Sequence, residues 1–120
     1  MSERQTVDTV TLFRPTGETE LALIRASGWR EFPHRLPEQP IFYPVLTVEA
    51  ATQIAYEWTT HDGGTVYVLR FDVEFEYLKQ FPIQAARLRI HQEYWIPAED
   101  LPAFNAAIVG PIEVVAEFHG

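Results

Sequence analysis

Apolar and polar positions change period several times along the chain, and each change marks an element. Thr9-Val10-Thr11-Leu12-Phe13-Arg14 is β-branched and aromatic, which predicts a strand that Pro15-Thr16-Gly17 breaks. Glu18 to Ser27 predicts a helix with Leu21, Ile24 and Arg25 on one face. Glu18 and Glu20 fall in its first turn, where carboxylates oppose the positive end of the dipole, and Gly28 sits at the C-terminal cap. Trp29 to Pro40 carries Pro33, Pro37 and Pro40, a spacing that suits neither a helix nor a central strand. It reads as an extended loop with Phe32, Leu36 and Trp29 packed down, either lining a site or purely structural. Ile41-Phe42-Tyr43 is a short strand stopped by Pro44. Thr47 caps a helix over Val48 to Trp58, whose buried stripe is Ala51, Ile54, Ala55 and Trp58, and His61-Asp62-Gly63-Gly64 is a turn.

Thr65 to Val73 is the clearest strand, apolar on both faces and so buried on both, with an irregularity. Glu74 to Phe81 holds a short helix, and Pro82 to Ala86 leads into Arg87 to Ile96. Strand alternation in that last stretch puts Leu88, Ile90, Tyr94 and Ile96, with Gln92, on one face, and Arg87, Arg89, His91, Glu93 and Trp95 on the other, until Pro97 ends it. Ala98 to Asn105 turns into a short helix ending near Val109, and Gly110-Pro111 breaks it. Ile112 to Phe118 is a final strand with Ile112, Val114, Ala116 and Phe118 on one face. About six strands with two main helices make an α+β domain.

Composition narrows the class. With 120 residues, 47% of them hydrophobic, the chain is expected to form one domain over residues 9–120, behind a polar, flexible N-terminus at residues 1–8. Cysteine is absent, so neither a disulfide framework nor a thiolate zinc site is open to it. Nine basic against seventeen acidic residues, net charge −8, argue against a broad nucleic-acid surface but leave room for a local basic groove. No apolar run is long enough to span a bilayer, and Met1-Ser-Glu-Arg-Gln lacks the apolar core of a signal peptide, so the expected location is the cytoplasm.

Few side chains remain as candidates for chemistry. Gly63-Gly64 is an ordinary turn signal, and His34, His61, His91 and His119 lack the helical spacing of metal ligands, so no metal is expected. No serine stands in a nucleophile elbow. What is left is Glu93, Arg14, Tyr43 and Tyr56. A glutamate can stabilise a developing cation or activate a hydroxyl. Tyrosines can stack on a flat heteroaromatic ring, and an arginine can hold phosphate or ribose oxygens. These are the parts needed to bind a dinucleotide and cleave its nicotinamide–ribose bond. The same residues also fit a plainer account, with Tyr43 and Tyr56 as core aromatics, Arg14 as a surface ion-pair partner and Glu93 on a solvated sheet face.

Two resemblances bear on this choice. Leu12-Phe13-Arg14-Pro15-Thr16 followed by Glu20 to Gly28 resembles the opening of ADP-ribosyltransferase folds related to diphtheria toxin and the poly-ADP-ribose polymerases, a strand ending in His-Gly-Thr and then a helix ending in Gly. Ile41-Phe42-Tyr43, then Glu49-Ala50-Ala51 and Tyr56, resembles their second signature, and Glu93 before Tyr94-Trp95-Ile96-Pro97 resembles the strand of their catalytic glutamate. The whole chain also resembles small bacterial proteins labelled ADP-ribosylation/crystallin J1, most distinctively over Phe32 to Val45. That label points to ADP-ribose chemistry, although the dimetal glycohydrolases it names are larger and helical.

The resemblance implies a small ADP-ribosyltransferase-like domain of two packed, mostly antiparallel sheets. It also implies NAD as substrate and an unknown acceptor. Tyr43 and Tyr56 would frame the nicotinamide, Arg14 and Thr16 would meet ribose or phosphate, Glu93 would be catalytic, and His91 would help choose the acceptor or support the site. Arg14 and Pro15 replace the His-Gly pair of that group, and Pro15 lacks the backbone N–H that binds the nicotinamide amide. The alternatives are a non-catalytic binding or regulatory module on the same fold, and a structural or interaction protein using the Pro-rich segment.

Overall fold

The structure, a computed structural model, describes residues 8–35, 38–62, 64–86 and 91–119. Its centre is an antiparallel sheet of β1 (Thr9–Thr16), β3 (Thr65–Glu74) and β7 (Ile108–His119), in the order β1-β3-β7. The ladder β2 (Ile41–Phe42) with β6 (Ile96–Pro97) is separate, as is the ladder β4 (Ile83–Ala86) with β5 (His91–Tyr94). The helices are α1 (Glu18–Ala26), α2 (Val48–Asp62), α3 (Phe75–Leu78) and α4 (Leu101–Ala106), the last preceded by a 3₁₀ turn at Ala98–Asp100. The α+β class holds, with three antiparallel sheets among the described residues where two were expected. No helix among these residues is long and apolar enough to cross a membrane.

The central sheet is covered on both faces, which explains the two-sided apolar pattern of β3. Val66 and Val68 face α2, where Ala50, Ala51 and Ala55 let the helix approach closely. Leu69, Phe71 and Val73 face a larger core of Leu12, Leu21, Ile24, Phe32, Phe42, Phe104 and Ile112. The expected irregularity is a register shift between Val68 and Leu69 opposite β7, where Leu69 pairs with Val114, Val68 pairs with Ala116, and Val115 is extra. That bulge corrects the single apolar face expected for the last strand. Ile112 packs in the larger core, Ala116 and Phe118 pack toward α2, and Val114 is exposed.

Two breaks expected from Pro and Gly are absorbed. β1 continues through Pro15 and Thr16, paired with Val68 and Tyr67. Phe13 exchanges both backbone hydrogen bonds with Val45 at 2.9 Å, so its polar groups point away from β3. Pro15, two residues on, points the same way, and the N–H it lacks is one that β3 does not require. β7 runs through Gly110-Pro111 as a second register shift, with Gly110 in the left-handed region at φ 79°.

The helices depart from the reading in three places. α2 extends to Asp62, into the first half of the expected turn, and Trp58 is exposed while Thr59 takes the buried position. Arg25 is exposed beside the buried Leu21 and Ile24, with its guanidinium over the Trp29 ring at 5.7 Å. α4 ends at Ala106, short of Val109. Thr47 caps α2 as expected, its hydroxyl accepting from Ala50 N–H at 3.0 Å.

Within the expected strand over Arg87 to Ile96, the described residues form β5 and the start of β6. Ala86 is paired with His91 and Ile83 with Tyr94, so the chain reverses between β4 and β5. Residues 87–90, and with them Arg87, Leu88, Arg89 and Ile90, lie outside the described residues, as do residues 1–7, Leu36 and Gly63. From the end of β5 onward, Tyr94 and Ile96 are buried and Trp95 is exposed, which matches the expected alternation.

The Pro-rich loop sends Phe32 into the core. Phe32 is buried against Phe42, Phe71 and Phe104. Its N–H donates to Asn105 Oδ1 at 2.9 Å, and Asn105 Nδ2 donates back to its carbonyl at 3.0 Å. One α4 side chain thereby satisfies both backbone groups of a buried loop residue. Asn105→Ala should lower unfolding stability by about 1–3 kcal/mol, the cost of leaving such groups unpaired, measured as the shift in the urea midpoint at constant m.

Candidate functional site

Leu12, Arg14 and Thr16 alternate onto the core face of β1. Gly17 alone separates β1 from α1, so the first turn of α1 brings Glu20 back over the strand. Arg14 donates to both oxygens of Glu20, from Nε at 2.7 Å and from Nη2 at 2.9 Å. Arg35, from the Pro-rich loop, approaches the same carboxylate with Nη1 at 3.8 Å. Arg35 Nη2 also donates to the Ile41 carbonyl at 3.4 Å. Both guanidiniums lie over the buried Phe42 ring, at 4.7 Å for Arg14 and 5.5 Å for Arg35. The side chains of Arg14, Glu20 and Arg35 are only 10%, 19% and 9% exposed.

Two positive charges thus share one negative charge in a nearly closed space. Burial pushes the Glu20 carboxyl up. The hydrogen bond and charge of Arg14, the nearby Thr16 hydroxyl and the charge of Arg35 outweigh it, and the net result is below the ordinary 4.5. Burial and the neighbouring Arg14 charge disfavour the Arg35 cation, only partly offset by Glu20 and Tyr43. Among the described residues, the Thr16 hydroxyl and Arg35 Nε are buried without a completed hydrogen bond. Thr16 lies near enough to Glu20 to act on its charge, but the geometry falls short of a formed bond.

A second group forms on the outward side of the next strand. Phe42 points into the core, so Tyr43 points out. Its ring meets Trp95 edge-to-face at 6.2 Å between centroids, and the two are 43% and 44% exposed. The Trp95 indole N–H donates to Glu93 Oε2 at 2.6 Å. Glu93 is fixed from the backbone side by its bridge to Val45, which also bridges Phe13. Tyr94 N–H donates to the Pro44 carbonyl at 3.0 Å and Leu46 N–H to the Gln92 carbonyl at 3.1 Å. Residues 41–46 therefore join β1 to β5 and β6.

The structure brings Arg14 and Thr16 together in the first group, and Tyr43 and Glu93 together through Trp95 in the second. Neither candidate tyrosine is a core aromatic. Tyr56 is 62% exposed on α2, and among the described residues no hydrogen bond, ion pair or ring contact joins its side chain to Arg14, Tyr43 or Glu93. His91 opens β5, but its side chain lies outside what the structure describes. Among the described residues no group of three or more His, Asp and Glu is arranged to hold a metal ion.

Arg14 is a buried partner of Glu20, which corrects its plainer assignment as a surface ion-pair residue. Sequence reasoning assigned Glu20 only to the helix dipole and did not single out Arg35. The available signal for Arg35 was a charged residue inside a loop apolar enough to pack down, because a charge carried into a core needs a partner there. The chain matches no family model, no curated protein and no solved structure.

Glu20 gives a pH signature. Its folded-state pKa lies below the unfolded one, so its contribution is fully present above pH ~4.5 and is lost as pH falls through the depressed value. Glu20→Gln should flatten the stability profile in that window. At pH 7 it should cost roughly 3–5 kcal/mol, because it strands two buried cations. Urea unfolding of both proteins from pH 3 to 7 measures both effects.

Proposed function

We propose that this domain binds a nucleotide carrying a flat, positively charged ring, of the NAD class. The observation that carries the reading is the half-exposed Tyr43–Trp95 pair with Glu93 held on the indole. Aromatic faces and a carboxylate together favour a cationic ring such as nicotinamide, which stacks on one and is attracted by the other. Tyr43 also follows directly on Phe42, the ring under both guanidiniums, so a candidate ring-binding surface and a cationic cluster meet at adjacent residues. Thr16 and the arginine cluster would then serve the ribose and phosphates. Tyr56 enters only as an outer contact from α2.

Binding without group transfer is the form best supported. Arg14 has its Nε and one Nη engaged by Glu20, and Pro15 offers no N–H to a nicotinamide amide. One observation favours ADP-ribosyl transfer as a second reading: Glu93 is fixed beside Tyr43 through Trp95. A carboxylate there can oppose the positive charge that grows on the ribose as the nicotinamide bond breaks, its electron pair leaving with nicotinamide while an acceptor attacks the ribose.

Calorimetric titration with NAD should give saturable binding. Tyr43→Ala should weaken it by about 1–3 kcal/mol, the range for a lost aromatic stack, and Tyr56→Ala by less. Nicotinamide release should be absent. Release that disappears in Glu93→Gln, with NAD binding retained, would establish transfer instead. No NAD binding would overturn the nucleotide reading and leave Tyr43–Trp95 as an interaction surface.

A further inference from the structure

Arg35 is the least satisfied charge among the described residues of the cluster. A guanidinium carries five N–H donors in a rigid fork and keeps its charge at any ordinary pH. Arg14 spends two of its nitrogens on Glu20 at 2.7 and 2.9 Å. Among the described residues, Arg35 makes one long bond to the Ile41 carbonyl at 3.4 Å and a loose 3.8 Å approach to Glu20, while its Nε has no partner. Its side chain is nonetheless 9% exposed. A buried donor on a charged group, left without an acceptor, is costly, and one carboxylate cannot neutralise two guanidiniums. The Thr16 hydroxyl is a second unpartnered polar atom in the same cluster. Thr16 directly precedes Gly17, the N-cap of α1, whose first turn takes no side-chain cap.

We infer that Arg35, with the Thr16 hydroxyl, forms a phosphate-oxyanion site beside the Arg14–Glu20 pair, taking one tetrahedral phosphate group through Arg35 Nε and an adjacent Nη. The bound oxyanion supplies the second negative charge that the cluster lacks. Arg14 stays with Glu20 and acts as a positioning residue, holding the carboxylate away from Arg35 Nε. The inference stands on the charge cluster itself. It meets the nucleotide reading in that a nucleotide's phosphate and free inorganic phosphate present the same oxygens to the fork.

The test follows the Arg35 Nε–H resonance of the full chain by ¹⁵N NMR while inorganic phosphate replaces chloride at matched ionic strength, and then in a separate titration with NAD. Matching ionic strength matters because a chain of net charge −8 responds to salt generally. A saturable shift of Arg35 Nε–H with phosphate is expected, together with a phosphate-dependent rise in Tm that Arg35→Gln removes. Arg35→Gln should weaken phosphate by about tenfold or more, as expected for loss of a bidentate charge-assisted pair. No phosphate-induced shift at Arg35 would overturn the inference, as would a phosphate-dependent rise in Tm that persists in Arg35→Gln. If Arg35→Gln does not fold, the wild-type resonance still decides. Saturable NAD binding with Arg35 unmoved by NAD and by phosphate alike would overturn the oxyanion site and keep the nucleotide reading. A phosphate shift at Arg35 without NAD binding would keep the site and overturn the nucleotide reading.

Discussion

One carboxylate between two nearly buried guanidiniums holds four segments in place. Arg14 comes from β1, Glu20 from α1, Arg35 from the Pro-rich loop, and Phe42 from β2 lies under both cations. Taking these charges out of water is expensive, and the hydrogen bonds return that cost only where the geometry is good, as it is for Arg14 and Glu20. Buried polar groups of this kind discriminate among packings, because a shifted loop or helix would strand a charge. The arrangement thus fixes where the Pro-rich segment enters the core, and it leaves a surplus of positive charge at the place where it does so.

Residues 41–46 carry that constraint to the surface. Ile41 and Phe42 pair with Pro97 and Ile96, and Val45 bridges Phe13 on one side and Glu93 on the other. Extended alternation then sends Phe42 inward beneath the arginines and Tyr43 outward to Trp95. Glu93 and Trp95, two apart along the chain, fall on the same side and bond to each other. A movement of either aromatic along this strand would be felt at the charge cluster through one peptide unit.

Local chemistry made most elements legible. Thr47 as a helix cap, Gly28 at φ 81° after α1, and the two-sided burial of β3 follow from side-chain type and spacing. Pro15 and Gly110-Pro111 misled because proline stops a strand only where its missing N–H was needed, and that depends on which neighbour lies on which edge. The Val115 bulge was invisible for a related reason. A one-residue insertion reverses the facing of everything after it and leaves no mark in composition. Among the candidate site residues, Glu93 with Trp95 was legible as a same-face pair on a strand, whereas Thr16 lay past the break expected at Pro15 and joins Arg14 only because β1 continues. Tyr56 was not placed by spacing, because α2 turns its alanines to the sheet and its position relative to Tyr43 is tertiary. Arg35 was hidden because its partner is fifteen residues away (35 − 20) across a loop with no periodicity.

Arg35 is held by Glu20 and is otherwise an unbalanced charge among the described residues. A double-mutant cycle with Glu20→Gln and Arg35→Gln, followed by urea unfolding at pH 7, measures this coupling. Arg35→Gln, introduced into the Glu20→Gln protein, is expected to restore part of the lost stability by removing a stranded cation. If the two losses simply add, Glu20 and Arg35 are not coupled and the shared carboxylate does not hold Arg35.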